Sequence, residues 1–405
     1  MEKSIAILGA LDTKGQEFAF LKAEIEKRCF KTLMIDTGVL GTPFFQPDVD
    51  HEQVAQMGGV KLNDLVTRNE RGEAMTVMGR GAAAIVRQLY DAQKIDGIIS
   101  MGGGGGTSVG TSAMRALPVG FPKLMVSTVA AGDTTGYVGS SDITMMPSIV
   151  DVAGINRISR MIYTNAAGAI CGMVAGEVEA SADKPLIAAT MFGNTTRAVN
   201  HAKELLEAAG YEVLVFHATG TGGRTMESLV GDRVIAGVLD MTTTEWADEI
   251  CGGVLSAGST RLDAATKTGT PQVVVPGCID MCNFWARNTV PEKYATRNLY
   301  EWNPNITLMR TTPEENARMG AIFAEKLNAA TGPIAVYIPL GGFSELDPKG
   351  KPFYWPEATE AFVTALKQHL REDIPVTEMD TDINDPVFSG RVAQALLDML
   401  KIREQ

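Results

Sequence analysis

Histidine, paired cysteine, basic clusters and long apolar runs are all scarce in this chain, and each shortage removes a class of function. Four histidines stand among 405 residues. No Ser-His-Asp or Cys-His arrangement is apparent, so no covalent nucleophile is expected. The five cysteines (Cys29, Cys171, Cys251, Cys278, Cys282) are odd in number and scattered, which suits a reducing, cytoplasmic setting. Cys278 and Cys282 lack the second pair or nearby His that a zinc site needs. Lys and Arg number 36 against 48 Asp and Glu, a net charge of −12. With no basic cluster, nucleic acid and anionic membranes are not expected as partners. The most apolar run, residues 166–176, is 11 residues long, well short of the roughly 20 that span a bilayer. The opening MEKSIAILGALD turns polar too soon for a signal peptide.

Glycine, by contrast, is abundant, and five glycines are consecutive. In residues 97–116, GIISMGGGGGTSVGTSAMRA, the first four residues read as a buried strand. Gly102, Gly103, Gly104, Gly105 and Gly106 follow, and Thr107 and Ser108 read as the opening of a helix. Such a turn lets backbone N–H groups approach a phosphate without an intervening Cβ, and the helix N-terminus adds unpaired donors and positive potential. One or two glycines would serve a tight turn alone. No Lys follows the run, so it is neither a P-loop nor a clean dinucleotide fingerprint. An acidic protein that holds phosphate needs a divalent cation or a very local basic pair.

Two stretches repeat the same order of elements. Residues 3–41 and 184–222 each give an apolar strand, a Thr-basic step (Thr13–Lys14, Thr196–Arg197), an amphipathic helix, a second strand and Thr-Gly. DGIISMG at 96–102 finds its counterpart in AGVLDMT at 236–242. Strands alternating with helices predict an α/β chain of two Rossmann-like, doubly wound parallel-sheet domains, residues 1–182 and 183–405, related by internal duplication. Ligands of such sheets sit beyond the carboxyl ends of the strands, and an interdomain cleft is the expected place.

That rule nominates the post-strand loops. After the first strand, Thr13 and Lys14 are candidate phosphate contacts, and Asp12 a Mg²⁺ ligand through water; N-capping by Asp12 or Thr13 is the plainer role. Asp36, in an Asp-Thr-Gly turn with Gly38, stands where an acidic residue bonds ribose hydroxyls. The polar segment 127–151 is too long for an ordinary connection and is expected to cover the ligand, with Thr128 and Asp142 as contacts. In the second half, Arg224, Thr243, Glu245 and Asp280 are candidates for holding a small substrate.

The stretches GALDTKGQE, DTGVLGTP, GGGGGTS, YVGSSDITMMPSIVD, GVLDMTTTEWADE, PGCIDMCNFW, LMRTTPEENARMG and IPLGGFSELD run through nearly the whole length. In them the chain resembles an uncharacterised bacterial and plant family related to the N-terminal ATP-binding region of the tomato mosaic virus resistance protein. The resemblance implies two Rossmann-like domains, ATP binding and homodimers. It places the nucleotide on Gly102 to Gly106, Thr107, Ser108, Asp12, Thr13 and Lys14. It also implies a separate TIM-barrel partner protein, since plants fuse that barrel to this region. The expectation is an ATP- and Mg²⁺-binding cytoplasmic protein, acting as an enzyme on a small acid. The alternatives are a non-catalytic nucleotide-sensing subunit and a non-ATP enzyme on a phosphorylated metabolite.

Overall fold

The computed structural model describes residues 3–177 and 184–403. They form two compact α/β units, one on either side of residues 178–183. The expected boundary at 182/183 lies outside the described residues.

The first unit runs β1 (Ser4–Gly9), α1 (Leu11–Glu26), β2 (Lys31–Asp36), α2 (His51–Met57), α3 (Leu62–Arg68), α4 (Arg71–Asp91), β3 (Gly97–Gly102), α5 (Gly104–Arg115), β4 (Lys123–Ser127), α6 (Thr135–Val138), β5 (Thr144–Pro147) and α7 (Arg157–Ala175). Its sheet is wholly parallel in the order β2-β1-β3-β4-β5. Both faces are covered, which explains why the strands read as nearly continuous apolar runs. Along β1, Ile5 and Ile7 pack under α1 and α7, while Ala6 and Leu8 pack under α4 and α5.

The second unit runs β6 (Leu186–Met191), α8 (Thr196–Ala208), β7 (Glu212–His217), α9 (Thr221–Gly231), β8 (Ile235–Asp240), α10 (Glu245–Cys251), α11 (Asp263–Thr268), β9 (Gln272–Val274), β10 (Met281–Phe284), β11 (Leu299–Asn303), β12 (Ile306–Arg310), α12 (Pro313–Asn328), β13 (Ile334–Pro339), α13 (Pro356–His369), β14 (Val376–Met379) and α14 (Pro386–Arg403). Its parallel sheet has the order β14-β13-β9-β8-β6-β7. Helices α8 and α14 cover one face; α9, α11, α12 and α13 cover the other. The two sheets share a reversal of strand order after their first βαβ unit, as doubly wound sheets do generally, so the shared order is not by itself a mark of duplication. An antiparallel sheet, β10-β12-β11, is inserted between β9 and α12. Its strands of four and five residues carry no alternation that the sequence alone revealed.

Among the described residues, no helix is long and apolar enough to cross a membrane.

Candidate functional site

The connections of the first sheet diverge between β1 and β3, which are paired neighbours. β1 hands its chain to α1 on one face, and β3 hands its chain to α5 on the other, so the loops diverge at the point where doubly wound sheets bind ligands. A cavity of about 620 Å³ fills this crevice. The loop after β1, residues 37–40, the glycine turn and the α3–α4 corner line it.

Helix α5 begins earlier than its sequence suggests. Gly103 is the N-cap, Gly104, Gly105 and Gly106 form the first turn, and no side chain caps them. The ladder starts only at Thr107, whose N–H donates to Gly103 O at 2.8 Å. Three glycine N–H groups are thus left for an outside acceptor at the positive end of the helix. None of these glycines has a positive φ. Packing requires glycine at the first position of the run, since a Cβ on Gly102 would lie 2.8 Å from Gly106 Cα. At Gly103, Gly104 and Gly106 the nearest atoms would be 3.7, 3.6 and 3.4 Å away, ordinary contacts, and at Gly105 the Met75 sulfur would be at 3.0 Å. Glycine within a helix costs about 1 kcal/mol against alanine. The fold does not ask for that cost at 104 or 106; what it leaves clear is the approach to the N–H groups.

Other cavity groups are unspent. Ser100 Oγ and Asp12 Oδ1 are buried without a hydrogen-bond partner. Thr13 and Lys14 line the cavity, as does Arg71 at the start of α4. Neither Lys14 nor Arg71 has a carboxylate partner among the described residues. Arg71 escaped the sequence reading. Its signal was a cation at a helix start, where the dipole disfavours one.

Several expected contacts have other work. Thr107 is fully buried; its hydroxyl donates to Gly103 O at 2.8 Å and lies 2.6 Å from Ser127 Oγ, so it braces the turn from beneath. Ser108 is exposed and off the cavity wall. Asp36 is inaccessible to a ribose. Its Oδ1 accepts from the N–H groups of Leu11 at 3.0 Å and Gly38 at 2.9 Å, and His51 Nδ1 lies 3.0 Å from Oδ2. Gly38 does line the cavity, packed against the Asp12 carboxylate. Asp12 Oδ2 accepts from Val39 and Leu40 N–H at 3.1 and 2.8 Å, which pins the loop after β2 and leaves Oδ1 unpaired. Thr128 stands beside the turn, donating its N–H to Gly102 O at 3.2 Å. Asp142 is displaced from the site altogether. It accepts from Lys123 Nζ at 2.5 Å, at the amino end of β4, opposite the glycine turn.

In the second sheet the corresponding crevice, between β6 and β8, is closed from within. The glycine turn opening α9 already holds an anion: Glu245 Oε1 accepts from Gly220 N–H at 2.8 Å and Gly223 N–H at 3.2 Å. Arg261, 1% exposed, donates to Glu245 at 2.6 Å, to both Asp240 oxygens at 2.6 Å and to Glu227 at 3.2 Å. Burial pushes the Glu245 carboxyl up from its ordinary range, while Arg261 opposes the shift. Three of the four residues expected to hold a small substrate are engaged inside the fold. Glu245 is spent in this network. Thr243 is buried and donates to Val275 O at 3.1 Å. Asp280 is fully buried, accepts from Ser344 Oγ at 2.7 Å, and is pushed up by burial and by the neighbouring Asp347. Arg224 alone is exposed, and its guanidinium donates to Ser256 O at 2.9 Å. Asp248, on α10, is buried as well, and burial raises its carboxyl to about 7.

Sequence profiles of the uncharacterised protein family UPF0261 match nearly all of the chain. Its N-terminal domain matches residues 3–179 and its C-terminal domain residues 184–400. A UPF0261 protein of Clostridium tetani is 53% identical over 99% of this chain and 100% of its own length. One from Rhizobium meliloti is 44% identical over 98% and 99%. The ToMV resistance protein Tm-1(GCR237) of Solanum lycopersicum is 43% identical over 97% of this chain, which spans 55% of the tomato protein.

Proposed function

This chain belongs to the UPF0261 family, and we propose that its amino-terminal domain binds a nucleoside polyphosphate, ATP with Mg²⁺, through the phosphate chain. One observation carries the reading: an uncapped first helical turn of three glycines, two of which, Gly104 and Gly106, packing does not demand. Lys14 and Arg71 supply positive charge in an otherwise acidic chain. The cavity falls within the size range of small-molecule sites. Leu65, Val66, Met75 and Met78 give it an apolar wall suited to a base. The unpaired Asp12 Oδ1 is a hard oxygen donor that fits Mg²⁺ through water, and Mg²⁺ normally combines one or two carboxylates with phosphate oxygens. The choice of ATP among phosphate compounds rests on the family resemblance. A second reading, a phosphorylated metabolite without ATP, draws on one observation: no Lys follows the glycines.

A thermal-shift screen against ATP, ADP, AMP, sugar phosphates and phosphoenolpyruvate, with and without Mg²⁺, tests both. Stabilisation follows RT ln(1 + [L]/Kd), so Mg-ATP should raise the melting temperature by several degrees, and Gly104→Val should abolish the rise. A response confined to a phosphorylated metabolite would transfer the site to the second reading. No response to any of them would end both.

A further inference from the structure

We infer that the cavity is built for a terminal phosphate, one esterified at a single oxygen, and that Arg71 and Tyr137 clamp it against the glycine turn. The inference rests on the phosphate reading above and adds the chemical class of the ligand. Cα–Cβ bonds of a helix tilt toward its N-terminus, so the places where Cβ atoms are missing in the first turn of α5 mark the path by which an anion reaches the N–H groups. Two side chains from distant elements border that path. A Cβ on Gly105 would lie 3.4 Å from Arg71 Nη2, and one on Gly104 would lie 3.6 Å from Tyr137 Oη. Tyr137 belongs to the short helix α6, within the long segment after β4. Arg115 holds it there by donating to its carbonyl oxygen. Arg71 has no carboxylate partner among the described residues. Ser100 Oγ, buried and unpartnered, packs beneath Gly110 of α5, behind the turn.

The first turn and its two flanks offer donors: glycine N–H groups, a guanidinium edge and a phenol. A terminal phosphate carries three strong acceptor oxygens and can meet all three directions at once. A phosphodiester has two such oxygens, and its second ester arm must leave through a flank, displacing Arg71 or Tyr137. The site should therefore accept nucleoside polyphosphates or phosphomonoesters by their terminal group and reject dinucleotides.

Calorimetric titration of the full chain with Mg²⁺ complexes of ATP and of its γ-phosphate methyl ester tests this, with adenosine and NAD as further probes. ATP should bind at least about tenfold more tightly than the methyl ester or NAD. Arg71→Met should lose about tenfold on ATP, and Tyr137→Phe a few-fold, with adenosine unmoved in both. Equal binding of ATP and its methyl ester would overturn the clamp. So would unchanged ATP affinity in both variants while Gly104→Val still abolishes binding; the phosphate reading would then stand without it. If Gly104→Val binds ATP normally, the reading underneath falls too.

Discussion

Gly102 and Gly104 answer to different demands, and alanine should separate them. At Gly102 the new methyl would press on the Gly106 backbone. Overpacking of this kind costs about 1–3 kcal/mol, so Gly102→Ala should lower the urea midpoint of the amino-terminal domain. At Gly104 there is room. Gly104→Ala should hold or raise stability, by up to about 1 kcal/mol, while weakening ATP about tenfold or more. The same fall in stability at both positions would mean that the run serves packing alone. Arg261 makes the contrasting case of a residue the fold cannot lose. Arg261→Met would leave Asp240, Glu245 and Glu227 facing one another without a cation, and should cost about 3–5 kcal/mol in denaturant unfolding of the carboxyl-terminal domain.

At the scale of elements, strands and helices were legible because both sheets are buried on two faces and leave long apolar runs. The start of α5 was misplaced by three residues because glycine reads as loop, although helix N-termini tolerate it without a cap. The Asp-Thr-Gly turn after β2 stands where an acidic residue bonds ribose, but in the fold the Asp36 carboxylate is occupied by the N–H groups of Leu11 and Gly38. Arg71 stands out in sequence only as a cation at a helix start; its reach from α4 to the glycine turn is a pairing that no local pattern encodes. Thr243, a candidate for holding a small substrate, stands with Thr242 and Thr244 as a buried strut before α10. That helix carries a pH signature. Asp248 titrates near 3.8 in the unfolded chain and, once buried, near 7. The folded state binds this proton more tightly, so the group's contribution to stability is complete below about pH 4 and is lost as pH rises to about 7. Asp248→Asn should flatten that fall and narrow the difference in unfolding free energy between about pH 5 and pH 8. An undiminished slope would assign it to other carboxyls.

For the whole molecule, one sheet holds its crevice open and the other fills the equivalent crevice with its own carboxylate. Equilibrium dialysis should therefore find one nucleotide per chain; two would show that α9 can release Glu245. The carboxyl-terminal half, despite its Gly-Thr-Gly-Gly turn, is best regarded as a site with a permanent occupant.

That occupant has a consequence in time as well as in space. The amides of Gly220 and Gly223 are tied to Glu245 whatever the medium contains, so they should trade hydrogen for deuterium slowly and at a constant pace. The amides of Gly104 to Gly106 have nothing to hold them until a ligand arrives. Their exchange rate should act as a clock that slows in proportion to occupancy, with the second turn as an internal standard in the same chain.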